Sequence, residues 1–258
     1  MNRINQLFAN NSKNILSIYF TAGHPELNTT VELIQTLEKS GVQMIEIGMP
    51  FSDPLADGPV IQQSAQKALA NGMNLKELFQ QLKDIRKTVQ IPLLLMGYLN
   101  PVMFYGMENF CRDCQQAGID GVILPDLPME EFEAEYKTMF EKYDMKFIFL
   151  ISPQTSDERL RKIDNLSNGF IYMVSSSATT GAKGSITTTQ TDYFKRVNAL
   201  NLKNPLVVGF GISNKETFNE VCKYANGAII GSAFVRMLDA AKDWRKETEE
   251  FVRGIIGK

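Results

Sequence analysis

Three carboxylates, Glu46, Asp53 and Asp57, lie close together where an apolar run, Val42-Gln43-Met44-Ile45-Glu46-Ile47, opens into the Gly/Pro-rich stretch from Gly48 to Pro59. The run is too apolar to face water on both sides, yet Glu46 sits inside it. Burying an unpaired carboxylate costs several kcal/mol or drives its pKa upward. A chain tolerates that most readily where the acid works, which makes this stretch a candidate acid/base site. On these residues alone two plainer readings stay open: Glu46 as a salt-bridged strand carboxylate, and Asp57 as a helix N-terminal acid ahead of Val60-Ile61-Gln62-Gln63. Asp53-Pro54 and Asp57-Gly58-Pro59 are also ordinary turn chemistry.

A second kind of chemistry is written near the C-terminus. Gly209-Phe210-Gly211-Ile212-Ser213-Asn214 and Gly231-Ser232-Ala233 each place glycine at the end of an apolar run, with a helix-patterned stretch soon after. Glycine lets backbone N–H groups approach a ligand, and a helix N-terminus adds partial positive charge, so the two loops can hold a phosphate without any arginine. Between the acids and these loops lies Ser175-Ser176-Ser177-Ala178-Thr179-Thr180-Gly181-Ala182-Lys183-Gly184. It is rich in small residues and reads as a closing lid or as a plain connector. Tyr172, just ahead of it, sits in an apolar run where simple core filling is the default.

The elements that must position these groups alternate throughout. Strand-like runs occupy 15–20, 43–47, 92–96, 120–124, 146–150, 169–174, 205–208 and 227–230, with helix-spaced stretches between them, such as Val31-Leu33-Ile34-Leu37 and Phe132-Tyr136-Met139-Phe140. Strict alternation predicts parallel strands with helical crossovers. Eight such units suit either an open doubly wound sheet or a closed barrel of about 250 residues. The first turn, Thr21-Ala22-Gly23-His24-Pro25, lacks the G-x-G-x-x-G fingerprint of a dinucleotide-binding sheet. No composition break divides the chain. The expectation is therefore one α/β domain over 1–258, a (β/α)8 TIM barrel with a short N-terminal helix and extra short helices in its βα loops. Its working residues would lie at the C-terminal strand ends, where Tyr19-Phe20-Thr21 and Pro125-Asp126 join the groups already named.

Composition removes several classes of function. With 27 Lys+Arg against 29 Asp+Glu the formal net charge is −2, which offers no basic field for nucleic acid or an anionic membrane. The first residues lack an apolar signal core, and no run approaches the ~18 residues of a membrane span. A cytoplasmic protein is expected. Cys111 and Cys114 have redox or zinc half-site spacing, but with Met107, Phe110 and Ala117 they share a helical face, which favours core packing. His24 is the only histidine, so a Ser-His-Asp triad is improbable and a multi-histidine metal site is excluded. The strand ends listed above offer no good lysine for a Schiff-base aldolase. A phosphate grip with two carboxylates and no metal points to general acid/base work on a small phosphorylated substrate.

Together these residues resemble the tryptophan synthase alpha chain family. The resemblance runs through Phe20-Thr21-Ala22-Gly23-His24-Pro25, Glu46-Ile47-Gly48 to Asp57-Gly58-Pro59, Leu95-Met96-Gly97-Tyr98-Leu99-Asn100-Pro101, Pro125-Asp126-Leu127-Pro128 and Gly209-Phe210-Gly211-Ile212-Ser213. It implies reversible retro-aldol cleavage of indole-3-glycerol phosphate to indole and glyceraldehyde 3-phosphate, in tryptophan biosynthesis. Glu46 falls on the family's acid/base glutamate and Asp57 on the aspartate that holds the indole N–H. Tyr172 matches a tyrosine near the substrate hydroxyls, and Thr180 the lid threonine. Gly181, Phe210, Gly211, Gly231, Ser232 and Ala233 map to the phosphate cradle, while Tyr19, Ile123 and Phe210 would wall the indole pocket. The resemblance further implies an α2β2 heterotetramer with a tryptophan synthase beta chain, which carries pyridoxal phosphate. No cofactor is expected on this chain, and its loops around Asp53-Pro54 and Asn100-Pro101 would face the partner. Two rival functions are a self-sufficient lyase releasing free indole and a non-catalytic phosphate-binding barrel that regulates a partner. In the lid, Ala178-Thr179 stand where the family has Gly-Val, and His24 stands where aspartate is common.

Overall fold

The computed structural model describes residues 1–175 and 186–257. Its strands are β1 (Ile15–Thr21), β2 (Met44–Gly48), β3 (Leu93–Met96), β4 (Gly121–Ile123), β5 (Lys146–Phe147), β6 (Phe149–Ile151), β7 (Ile171–Val174), β8 (Leu206–Gly209) and β9 (Gly227–Ile230). All pair in parallel, in the order β5-β4-β3-β2-β1-β9-β8-β7-β6. The two ends of that order are separated in sequence only by Ile148, so the sheet curls back on itself into a TIM barrel. The run expected as one strand over 146–150 is divided at Ile148 because its first half pairs with β4 and its second with β7. Strands in a closed barrel tilt and stagger, so a short strand meets its two neighbours at different heights.

Side-chain alternation sorts the strands into an inner and an outer face. Met44, Leu94, Ile123, Phe170, Tyr172, Val207 and Ile229 fill the barrel interior, while alternate residues such as Ile45, Ile47, Leu93, Leu95 and Val208 pack outward against the helices. Both faces are apolar because both are covered, and period two carries Glu46 inward between Met44 and Gly48. The outer helices bury their expected stripes. Leu33, Ile34 and Leu37 are buried on the helix Thr30–Lys39, and Phe110, Cys111 and Cys114 on Met107–Ala117. Burial pushes the Cys111 thiol up to about 12 and Cys114 well above its usual value, in keeping with inert core cysteines. The segment Phe132–Tyr136, expected as regular helix, is π-helical; there Phe132 stacks on Phe147 with ring centroids 4.2 Å apart.

The N-terminal helix Arg3–Asn10 closes one mouth of the barrel. Asn2 caps it by accepting from the Ile4 amide (3.0 Å), and donates to the carbonyls of Asp120 (2.9 Å) and Asp144 (3.0 Å) at the starts of β4 and β5. Ile4 is fully buried among the interior residues, and Phe8 packs on Phe170 at 5.8 Å. Asp120 binds Arg3 (3.1 Å) and Arg86 (2.6 Å), locking the plug to the barrel wall. Chemistry is thereby left to the opposite mouth, at the C-terminal strand ends. Among the described residues no helix is long and apolar enough to cross a membrane.

Candidate active site

Glu46 stands on β2 opposite Tyr19 of β1 and Leu94 of β3. It has no solvent exposure, and among the described residues neither carboxylate oxygen has a hydrogen-bond partner. The plainer reading as a salt-bridged strand acid thus finds no cation in the described structure. Burial alone raises its pKa to about 8, because an ionised carboxylate without partners is poorly solvated there. At neutral pH it is mostly a protonated acid.

Asp57 approaches from the loop after β2. Pro59 occupies the first turn of the helix Pro59–Ala70, where its missing N–H costs nothing, and the chain enters through extended Gly58. Asp57 therefore does precede a helix, as the plainer reading had it, but its Oδ2 accepts from the Tyr98 hydroxyl at 3.1 Å. The same hydroxyl accepts from the Ala56 amide at 2.9 Å, so Tyr98 fixes both the acid and the loop that carries it. Burial raises the Asp57 pKa to about 6, and the Tyr98 hydrogen bond works against that rise. At neutral pH Asp57 is mostly ionised while Glu46 is mostly protonated. Two carboxyl groups whose surroundings separate their pKa values in this way are suited to different halves of one acid/base reaction.

Tyrosines complete this end of the site. Burial, followed by the fields of Glu46 and Asp57, keeps the Tyr172 hydroxyl well above its ordinary pKa, and burial followed by Asp57 does the same for Tyr19. Both remain neutral donors. Each leans over a glycine on the neighbouring strand: a Cβ at Gly48 would overlap the Tyr19 hydroxyl, and one at Gly209 the Tyr172 hydroxyl. Asp57 itself lines a cleft with Tyr19, Met49, Phe51, Met96 and Tyr98. Those walls combine the rings of Tyr19, Phe51 and Tyr98 with aliphatic and thioether side chains around a single carboxylate, a setting suited to a flat heterocycle that carries one N–H.

The glycine loops lie at the ends of β8 and β9. Phe210 and Gly211 both adopt positive φ, 68° and 80°; this left-handed pair turns the chain sharply, and in Phe210 it departs from ordinary L-residue geometry. The Phe210 carbonyl accepts a short hydrogen bond from the Ser175 hydroxyl, and its ring sits 6.2 Å from that of Tyr172. Gly231 precedes the helix Ser232–Ala240 and contributes no side-chain cap. The first-turn amides at Ser232 and Ala233 therefore have no capping side chain on the preceding residue, an arrangement open to an anion.

Of the remaining expected site residues, Ile123 is fully buried in the same interior cluster as Tyr172, and Phe210 packs against that cluster. Asp53 and Asn100 are exposed, Pro101 is half-buried and Pro54 is buried. Beside them Leu55, Met103 and Phe104 are exposed, Phe104 to 96%. Thr180 and Gly181 lie outside the described residues. Sequence reasoning passed over Tyr98, Met49 and Phe51. Tyr98 directly follows β3, and its position at a strand end was the signal available.

The chain matches, over residues 5–254, the family model described as tryptophan synthase alpha chain. It is 61% identical over 238 residues to the tryptophan synthase alpha chain of Flavobacterium psychrophilum, covering 92% of this chain and 94% of that one. To that of Bacteroides thetaiotaomicron it is 59% identical over 246 residues, covering 95% and 96%. Among solved structures it is similar to a tryptophan synthase alpha chain from Legionella pneumophila, with TM-score 0.87, 35% identity and coverage of 99% and 96%. It is also similar to the tryptophan synthase A-subunit of Pyrococcus furiosus, with TM-score 0.88, 34% identity and coverage of 96% and 99%.

Proposed function

The chain belongs to the tryptophan synthase alpha chain family and carries out that subunit's lyase reaction on indole-3-glycerol phosphate, and we propose that Glu46 and Asp57 divide the chemistry between them. The observation that carries this division is the difference in their surroundings: Glu46 is fully buried with no hydrogen-bond partner among the described residues, which raises it to about 8, whereas Asp57 accepts from Tyr98 and rises only to about 6. Glu46 donates its proton to the ring carbon that bears the side chain. The ring becomes an indolenine cation, whose N–H is held by the Asp57 carboxylate where positive charge develops. The Glu46 carboxylate then takes the proton of the adjacent side-chain hydroxyl. The C–C bond breaks, its electron pair returns to the ring, and indole and an aldehyde separate with Glu46 again protonated.

The amide-lined loops at Phe210-Gly211 and Gly231-Ser232-Ala233, with Gly181, hold the phosphate. Tyr172 meets the side-chain hydroxyls, Tyr19, Ile123 and Phe210 wall the ring, and Thr180 has the role of the family's lid threonine. No cofactor takes part on this chain; pyridoxal phosphate belongs to the beta chain that partners the family. Two alpha and two beta chains form the assembly, docked through the loops at Asp53-Pro54 and Asn100-Pro101. The exposed Leu55, Met103 and Phe104 beside those loops support that face. Buried, unbridged cysteines support a reducing, cytoplasmic setting.

The test is indole release by wild type and Glu46→Gln, with and without a beta chain. The substitution should lower turnover by about two to four orders of magnitude, the usual size of an acid/base contribution, with little change in affinity for glycerol 3-phosphate. Retention of most activity would remove Glu46 from the role. Strong turnover by wild type without a beta chain would favour a self-sufficient lyase.

A further inference from the structure

The function described so far leaves His24, the only histidine, without a task. It lies in the loop after β1, at the open mouth of the barrel, and is 1% exposed. Its Nε2 is 3.4 Å from Oδ1 of Asp239, and neither ring nitrogen makes a hydrogen bond among the described residues. The same Asp239 oxygen receives Lys67 in a short ion pair. Burial holds the imidazole below its ordinary pKa, Lys67 adds to that effect and Asp239 opposes it.

The three residues come from three elements that matter to the site. Asp239 closes the helix Ser232–Ala240, whose first turn is the phosphate grip. Lys67 is on the helix Pro59–Ala70, which starts two residues after Asp57. That second helix is fastened along one face to the end of β1 and the loop that follows: Ser64 Oγ lies 2.6 Å from Thr21 Oγ1, and just beyond the helix end Asn71 donates to the carbonyls of Gly23 (2.9 Å) and Pro25 (3.0 Å). Positions 64, 67 and 71 follow the helical three-four spacing, so Lys67 points the same way. Through Asp239 this braced unit reaches the helix of the phosphate grip.

We propose that His24, Lys67 and Asp239 are positioning residues that set the span between the phosphate grip and Asp57. The inference rests on the reading of the Gly231-Ser232-Ala233 turn as part of that grip. It separates two things a fold-wide defect would not: the grip's own affinity for phosphate, and the match between grip and ring pocket. A ligand that spans both halves must feel a change in their separation, whereas inorganic phosphate touches only one.

The experiment compares binding of inorganic phosphate and of an indole-3-alkyl phosphate without side-chain hydroxyls, for wild type, Asp239→Asn, His24→Asn and Lys67→Met, with thermal midpoints recorded alongside. Asp239→Asn should weaken the spanning ligand about five- to tenfold and raise KM for indole-3-glycerol phosphate similarly, while phosphate affinity stays within about twofold, as expected when binding groups are displaced without being lost. Lys67 is 54% exposed, so Lys67→Met keeps the test usable if the variant at buried His24, or Asp239→Asn, fails to fold. It should weaken only the spanning ligand, by about two- to threefold. Equal weakening of both ligands, or an unchanged spanning ligand in Lys67→Met, would overturn the positioning role. Wild type that binds neither ligand would instead refute the phosphate-grip reading on which it rests.

Discussion

Replacing Glu46 by glutamine should change how stability depends on pH, in a direction set by burial. The Glu46 pKa rises from an ordinary 4.5 to about 8 in the folded chain. The native state therefore holds that proton more tightly than the unfolded chain does. The stability it contributes is fully present below the unfolded value and is lost as pH rises through the folded one. A rise of about 3.5 pH units at ~1.36 kcal/mol each gives a total near 5 kcal/mol, an upper bound on the loss between acid and mildly alkaline solution. Asp57 acts in the same direction at lower pH, since its pKa rises from 3.8 to about 6. Subtracting the variant from wild type removes that contribution and leaves the Glu46 part. Urea unfolding at pH 5.5, 6.5 and 7.5, followed by circular dichroism and by the fluorescence of Trp244, the only tryptophan, measures both proteins. The wild-type advantage over Glu46→Gln, of either sign at the start, should fall by about 2–3 kcal/mol across that range. Parallel stability curves would show that Glu46 is solvated or paired in solution, and the assignment of a neutral buried acid would fail with it.

Three further outcomes follow from particular contacts. Tyr98→Phe removes the hydrogen bond that holds the Asp57 pKa down, so the acid limb of the kcat/KM profile for indole release should move to higher pH, with a loss of about tenfold at neutral pH; an unmoved limb would separate Tyr98 from Asp57. Gly209→Ala drives a methyl group into the Tyr172 hydroxyl, so urea unfolding should show about 1–3 kcal/mol of overpacking cost and indole release should drop, whereas normal turnover would detach Tyr172 from the reaction. Asp120→Ala strands Arg86 at the closed mouth, where Asp120 is 3% exposed; loss of about 3–5 kcal/mol in unfolding free energy is expected, with kcat nearly unchanged wherever the protein stays folded.

The residues from Val42 to Pro59 show how far local sequence reaches. An acid inside an apolar run, strict strand-helix alternation and glycine after the last two strands are local patterns, and they were enough to indicate the barrel and to single out the candidate acids and glycine turns at its C-terminal strand ends. The family resemblance then supplied roles for Glu46 and Asp57 that patterning could not. The division of strand 146–150 at Ile148 was not legible, because it depends on two neighbours meeting that strand at different heights in a closed barrel. Nor was the pairing of Tyr98 with Asp57, 41 residues apart in the chain, or that of His24 with Asp239.

What the sequence determined by itself was which residues could do chemistry and in what order the elements carry them, because hydrophobic period and turn chemistry act over a few neighbours. Only the tertiary structure decided their state. How far burial lifts Glu46 above Asp57, which tyrosine restrains the aspartate and what stands behind the Gly231-Ser232-Ala233 turn all depend on solvent exclusion and on contacts between distant segments. Those exist only once the barrel has closed.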